Sequence, residues 1–293
     1  MTDRYAVIGN PIAHSKSPLI HTEFARQTNQ DIDYQAVLAP LDGFAETVAR
    51  LRKEGCRGCN VTVPFKQEAW QYALDSGMAC ELPATTAQAV NTLCLDRGIA
   101  TNTDGMGLIR DIRNNLGFSL EGKRILLMGA GGAARGVLYP LMDQTAFMPT
   151  QETPAFIVIA NRTPEKAVQI TDESDFKLIA ARVDSSKPAA TKLEACSYEE
   201  LAGRQFDIVI NATSSGLRDE LPPLPGNLFA RDSLAYDMMY GRQTPFMNFA
   251  HEQGASLISG GLGMLVEQAA ESFFLWRGIR PETKPVIEKL GSC

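Results

Sequence analysis

The chain has 293 residues, 44% hydrophobic and 21% charged, close to an ordinary globular composition. That length holds one large or two medium domains with a sizeable core. The formal charge of −6 argues against nucleic-acid or acidic-membrane partners, and no apolar run approaches the roughly 18 residues of a membrane span. Met1-Thr-Asp-Arg4 carries no apolar leader, so the cytoplasm is the expected compartment.

In chain order, Arg4 to Ile8 reads as a strand ending in the turn Gly9-Asn10-Pro11. Ser17 then Pro18 predicts a helix start, with Ser17 as N-cap and Pro18 at N1. Tyr34–Leu38 is a second strand, and Leu41–Lys53 a helix with Phe44, Val48 and Leu51 on one face. Gly58 to Val63 is a third strand stopped by Pro64, and Phe65–Ser76 returns to a helix. This β-α alternation predicts an α/β domain. A short strand follows near Ala89–Leu95, and Asn102-Thr103-Asp104-Gly105 leads into a helix over about 106–116, with Asp104 a candidate N-cap.

The six cysteines stand at 56, 59, 80, 94, 196 and 293. Cys56-Arg-Gly-Cys59 precedes a strand instead of opening a helix, and no second C-x-x-C completes a zinc site, so reduced thiols are expected. Three histidines, His14, His21 and His251, make a multi-histidine metal site unexpected. No metal is assigned.

The second half begins with Ile125–Met128, an apolar run suited to a parallel strand covered on both faces. Gly129-Ala130-Gly131-Gly132-Ala133-Ala134 follows and fits G-x-G-x-x-G/A. In that pattern the first glycine permits a tight turn, the second admits a pyrophosphate, and a helix N-terminus faces the phosphates. A glycine turn without a ligand is the bland alternative. Ala155–Ala160 and Phe206–Ile210 are further strands, with a helix after Thr163-Pro164, and the repeat predicts a doubly wound sheet. Residues 143–154 read as a long surface loop and 184–196 as a second loop region. Gly260-Gly-Leu-Gly263 precedes an apolar helix over 264–276.

The second strand of a dinucleotide fold usually ends in a carboxylate that binds the ribose of NAD. Here Asn161-Arg162-Thr163 follows the strand, and Lys166 lies in the first helical turn. Arg can pair with a 2′-phosphate, and a cation near a helix N-terminus is locally unfavourable unless an anion sits nearby. NADP is therefore favoured over NAD.

In this order, Gly9 to Pro18, Asn60-Val-Thr62-Val-Pro64-Phe-Lys66, Ala89-Val-Asn91-Thr and Asn102-Thr-Asp104-Gly105 resemble motifs of the shikimate/quinate dehydrogenase family. So do Gly129–Ala134, Asn161-Arg-Thr163, Asn211 to Gly216, Tyr236 to Tyr240 and Gly261 to Ala269. The resemblance covers nearly the whole chain. It implies two α/β domains with an active-site cleft between them: a substrate domain over 1–105, a Rossmann-like NADP-binding domain over 106–260, and C-terminal helices over 261–293 returning to the first. It also implies NADP-dependent interconversion of shikimate and 3-dehydroshikimate, a step in aromatic amino-acid biosynthesis.

Carried over motif by motif, the resemblance makes Lys66 and Asp104 the catalytic pair. A lysine can give a proton to a forming alkoxide and take it back. Ser15 and Ser17, helped by Tyr240, match carboxylate-binding positions, and hydroxyl donors can bind a carboxylate. Thr62, Asn91 and Gln268, with Lys66 and Asp104, match hydroxyl-binding positions. Gly129, Ala130, Gly131, Gly132, Ala133, Asn161, Arg162, Thr163 and Lys166 match cofactor positions, with Met238 and Gly261 near the nicotinamide. The spacing from Lys66 to Asn91 is longer than the pattern suggests, around 79–84. The expected partners are small molecules, with the chain a monomer or homodimer. Two alternatives stay open: a quinate- or aminoshikimate-active relative, and a non-catalytic dinucleotide-binding regulator. Ser17 and Arg162 point away from the quinate-active relatives.

Overall fold

A computed structural model describes residues 2–145, 147–173, 176 and 191–292. The chain divides into two compact units, residues 1–107 with 265–293, and residues 108–264. Both are α/β, and the second is a Rossmann-like doubly wound sheet.

Unit 1 contains β1 (Asp3–Gly9), α1 (Ser17–Thr28), β2 (Ile32–Leu38), α2 (Phe44–Lys53), β3 (Cys56–Val61) and α3 (Lys66–Asp75). It continues with β4 (Ala79–Cys80), α4 (Leu82–Ala87), β5 (Thr92–Cys94), β6 (Ile99–Thr101) and the start of α5 (Asp104–Arg110). The sheet order is β2-β1-β3-β5-β6-β4. Pairings are parallel from β2 to β3, antiparallel through β5 and β6, and parallel again at β4. The short β4 and α4 occupy the region where the spacing before Asn91 is long. Strand alternation divides the core. Ala6, Ile8, Cys59 and Val61 face one apolar cluster, and Tyr5, Val7 and Tyr34 another.

The C-x-x-C pair lies within β3 and not ahead of it. Arg4 pairs with Cys56 and Tyr5 with Gly58, so Arg57 is an extra residue in the strand. Such a bulge reverses the alternation. Cys56 and Cys59 therefore share one core, their Sγ atoms 3.7 Å apart as free thiols.

Unit 2 contains the rest of the α5 segment and then β7 (Arg124–Met128), α6 (Gly132–Met142), β8 (Phe156–Ala160), α7 (Pro164–Asp172) and β9 (Lys192–Cys196). There follow β10 (Phe206–Asn211), β11 (Phe229–Asp237), α8 (Pro245–Glu252), β12 (Leu257–Gly260) and the first turn of α9 (Leu262–Arg277). The remainder of α9 and α10 (Lys284–Gly291) belong to unit 1. All six strands of the second sheet are parallel, in the order β12-β11-β10-β7-β8-β9. Ile125 and Leu127 enter the core on one face, Leu126 and Met128 the core on the other. That double burial is why β7 reads as an unbroken apolar run.

One loop expectation is corrected, and the other holds with buried anchors. Residues 192–196 form the edge strand β9, and 184–190 lie outside the described residues. The segment 143–154 is anchored and not merely superficial. Gln144 is fully buried, accepts from Arg113 Nη1 at 2.9 Å and donates to the Glu152 carbonyl at 2.9 Å.

Candidate active site

In unit 1, the end of β3, the start of α3 and the start of α5 bring the catalytic candidates together. Lys66 opens α3 and Asp104 opens α5. Lys66 Nζ donates to Asp104 Oδ2 at 2.5 Å, with the lysine side chain 31% exposed and the carboxylate 12%. One end of this pair is therefore open to a ligand while the other is held. Asn91 Nδ2 donates to Asp104 Oδ1 at 2.8 Å, so each carboxylate oxygen has its own donor. Asn91 Oδ1 in turn accepts from the Thr103 N–H at 2.9 Å. Gln268, on α9, places Oε1 3.3 Å from Asn91 Nδ2.

Asp104 is not the N-cap that its position suggests. It is the first helical residue, and Asn102 Oδ1 accepts from its N–H at 3.0 Å. Asn102 takes the capping task, which leaves the Asp104 carboxylate free for Lys66. Ser17 likewise lies inside α1. Ser15 Oγ accepts from the Ser17 N–H at 3.3 Å, so the upstream serine meets that donor. Thr62 follows β3 directly, its N–H bonded to the Ile8 carbonyl at 2.9 Å. Asn60, Thr92, Thr103 and Ser272 join the same buried polar cluster and were not singled out by the sequence. Asn60 and Thr103 lie within the quoted motifs, and Ser272 stands one helical turn beyond Gln268.

In unit 2, Gly129 has φ +103°, a conformation side chains rarely adopt, as β7 turns into α6. Gly131 is the N-cap and Gly132 the first residue of α6. A Cβ added at either of these two would meet nothing within 4 Å. Room for a ligand thus lies where the first helical N–H groups lack intrahelical partners, and this donor set fits a pyrophosphate. Ala130 and Ala133 flank the glycines. Asn161, Arg162 and Thr163 follow β8. Thr163 occupies the N-cap position of α7 but makes no side-chain capping bond there. Arg162 is 65% exposed and, among the described residues, pairs loosely with Glu220 Oε2 at 3.8 Å, and Lys166 sits in the first turn of α7. An exposed, loosely paired guanidinium fits a phosphate.

Met238 and Tyr240 follow β11, and Gly261 follows β12. A Cβ at Gly261 would fall 2.3 Å from the Met238 carbonyl oxygen, so only glycine permits this approach. A buried carboxylate supports the segment. Asp237 accepts from the Met239 N–H at 3.0 Å, Asn211 Nδ2 at 3.1 Å and Thr244 Oγ1 at 2.6 Å. The sequence motifs at 211–216 and 236–240 are thus two sides of one network. Tyr240 belongs to unit 2, whereas the other named substrate residues belong to unit 1. Among the described residues no cluster suited to a metal ion occurs, and no helix is long and apolar enough to cross a membrane.

The family model for the shikimate dehydrogenase substrate binding domain matches residues 7–93, and that for the shikimate 5'-dehydrogenase C-terminal domain matches residues 261–290. A curated relative from Nitrosospira multiformis, named shikimate dehydrogenase (NADP(+)), is 56% identical over 295 residues, covering 100% of this chain and 98% of its own. The chain belongs to the shikimate dehydrogenase family. Among solved structures of similar fold is an Ael1 enzyme from Pseudomonas putida, with TM-score 0.84 and 44% identity, covering 99% of this chain and 98% of that one. The shikimate 5-dehydrogenase of Thermus thermophilus, solved in complex with NADP(H) and shikimate, gives TM-score 0.77 at 28% identity and covers 98% of both chains. Family membership accounts for the motif order across both units.

Proposed function

We infer that this protein catalyses the reversible, NADP-dependent interconversion of shikimate and 3-dehydroshikimate, a step in aromatic amino-acid biosynthesis. The observation that carries the reading is the Lys66–Asp104–Asn91 cluster, found in a chain 56% identical to an NADP(+)-dependent shikimate dehydrogenase. Unit 1 is the substrate domain and unit 2 the cofactor domain, with the residues after Met264 completing the substrate domain.

Removing hydride from a carbinol carbon requires the loss of its hydroxyl proton, and the reverse reaction requires its return. In the oxidation direction the Lys66 amine takes that proton; in reduction the ammonium gives it back. Asp104 holds the ammonium once it forms and accepts from a neighbouring ring hydroxyl. Asn91 keeps Asp104 turned towards Lys66. Asn91, Thr62 and Gln268 bind the ring hydroxyls, and Ser15, Ser17 and Tyr240 bind the carboxylate. NADP supplies or accepts the hydride when bound. Gly129, Ala130, Gly131, Gly132 and Ala133 would hold its pyrophosphate, and Asn161, Arg162, Thr163 and Lys166 the adenosine end with its 2′-phosphate. Met238 and Gly261 would line the nicotinamide position.

The net charge of −6 fits small-molecule partners over nucleic acid or an acidic membrane. On this reading the enzyme is cytoplasmic and a monomer or homodimer. The deciding experiment is a matrix of shikimate and quinate against NADP+ and NAD+. Efficient turnover of shikimate with NADP+ is expected, with the other three pairs at least about tenfold poorer in kcat/KM. Preference for quinate would instead make the enzyme a quinate dehydrogenase. No reduced cofactor from any pair would identify a non-catalytic binder.

A further inference from the structure

The geometry points to Tyr34 and Ser272 as positioning residues that hold Asn60 between them, tying the face of α1 that carries Ser17 and His21 to the Asn91–Asp104–Lys66 end of the substrate site. This inference rests on the function proposed above.

Tyr34 Oη donates to Asn60 Oδ1 at 2.8 Å. Asn60 Nδ2 donates to Ser272 Oγ at 2.9 Å and lies 3.1 Å from Thr92 Oγ1. Thr92 Oγ1 is 2.8 Å from Ser272 Oγ and donates to Asn91 Oδ1 at 2.8 Å. Asn91 reaches Asp104, and Asp104 reaches Lys66. At the other end the Tyr34 ring packs on α1 through His21, one helical turn from Ser17. A continuous chain of polar groups therefore runs through unit 1. Ser17, Tyr34, Asn60, Asn91, Thr92 and Ser272 are all buried.

The surroundings explain why the Tyr34 hydroxyl is fixed. Its ring stacks on His21 with centroids 4.1 Å apart and planes 7° from parallel. His21 stands one helical turn after Ser17 on α1, so the same helix face that presents the serine clamps the tyrosine. Ser272 is set in turn by its helix, donating to the Gln268 carbonyl at 3.1 Å. Asn60 thus has its carbonyl committed to one element and its amide to two others. In a dry network each missing partner leaves a buried polar group unpaired, and its neighbours shift to compensate. None of Tyr34, Asn60 or Ser272 need touch the substrate to affect it.

The test compares wild type, Tyr34→Phe, Ser272→Ala and Tyr34→Phe with Ser272→Ala, in shikimate oxidation with NADP+. Tyr34→Phe keeps the stacked ring. It is expected to raise the shikimate KM about fivefold to twentyfold while leaving kcat and the NADP+ KM within about twofold. The double variant should be no more than about twofold worse than the more impaired single variant, because both changes release the same Asn60. Should Tyr34→Phe lower the melting temperature, Ser272→Ala decides: a selective rise in shikimate KM supports the network. An unchanged shikimate KM in a variant that melts like wild type overturns it, as does full additivity in the double variant. Absence of turnover by the wild-type protein overturns the proposed function and this inference together; wild-type turnover with an unmoved KM overturns the network alone.

Discussion

Lys66 Nζ and Asp104 Oδ2 meet at 2.5 Å, the first residues of two helices that start 38 positions apart. Because Asn91 occupies the other carboxylate oxygen, Asp104 has little rotational freedom. Lys66→Ala and Asp104→Ala should each lower kcat for shikimate oxidation by about 10²–10⁴, the usual range for a positioned proton-transfer group. Circular dichroism and melting should show both variants folded, since Lys66 is partly exposed. Asn91→Ala should also lower kcat, because Asp104 loses the donor that orients it. Near-wild-type rates in Lys66→Ala and Asp104→Ala would remove the catalytic assignment.

Among the described residues Arg162 has a loose pairing with Glu220, at 3.8 Å and at the surface. Exposed pairs of this kind contribute little, so the guanidinium is available to a 2′-phosphate. A charged hydrogen bond is worth about 1.5–3 kcal/mol, which corresponds to roughly tenfold to a hundredfold in affinity. Arg162→Ala should raise the NADP+ KM by that factor and leave the NAD+ KM nearly unchanged. Titration of each nucleotide, followed by fluorescence or calorimetry, checks this directly.

Parts of this arrangement are legible in the sequence because one local force decides them. The apolar run of β7 and the glycine turn after it have no other sensible fold, since a strand buried on both faces must be apolar throughout. Lys192–Cys196 reads as a loop because it forms an edge strand, mostly half-exposed, whose composition is correspondingly mixed. Asn102 and Asp104 have the same capping chemistry, and only the fold selects Asn102 for the cap. The bond from Asn60 to Ser272 spans 212 positions, and no spacing rule connects them. Short motifs are legible as patterns; the residues that hold them in place come from elsewhere in the chain.

Gly261 offers a steric prediction. A methyl group there would overlap the Met238 carbonyl, which is backbone and cannot swing away as a side chain could. The Gly261 N–H also donates to the Met239 carbonyl at 2.8 Å, so both partners are pinned. Gly261→Ala should lower kcat/KM for NADP+ by at least about tenfold through displacement of the Met238–Tyr240 segment. Ser259→Ala, two residues earlier, serves as the control and should change little. Equal activity of both variants would separate this segment from cofactor binding.

His21 makes the acid stability of unit 1 testable. It is fully buried, its ring nitrogens have no hydrogen-bond partner among the described residues, and burial brings its pKa down to about 3, against a smaller opposing effect of Asn60. The unfolded chain, with an ordinary value near 6.5, binds the proton more readily than the fold does. Stability from the neutral ring is therefore present above about pH 6.5 and is lost as pH falls towards 3, at roughly 1.4 kcal/mol per pH unit. The two tryptophans, Trp70 and Trp276, both lie in unit 1, and Trp276 borders His21 with ring centroids 5.4 Å apart. Tryptophan fluorescence in urea thus reports this unit. Between pH 7 and pH 5 the wild-type midpoint should fall more steeply than that of His21→Phe, which keeps an aromatic ring against Tyr34 but cannot be protonated. Parallel midpoints across that range would mean that protonation of His21 is not what weakens the fold.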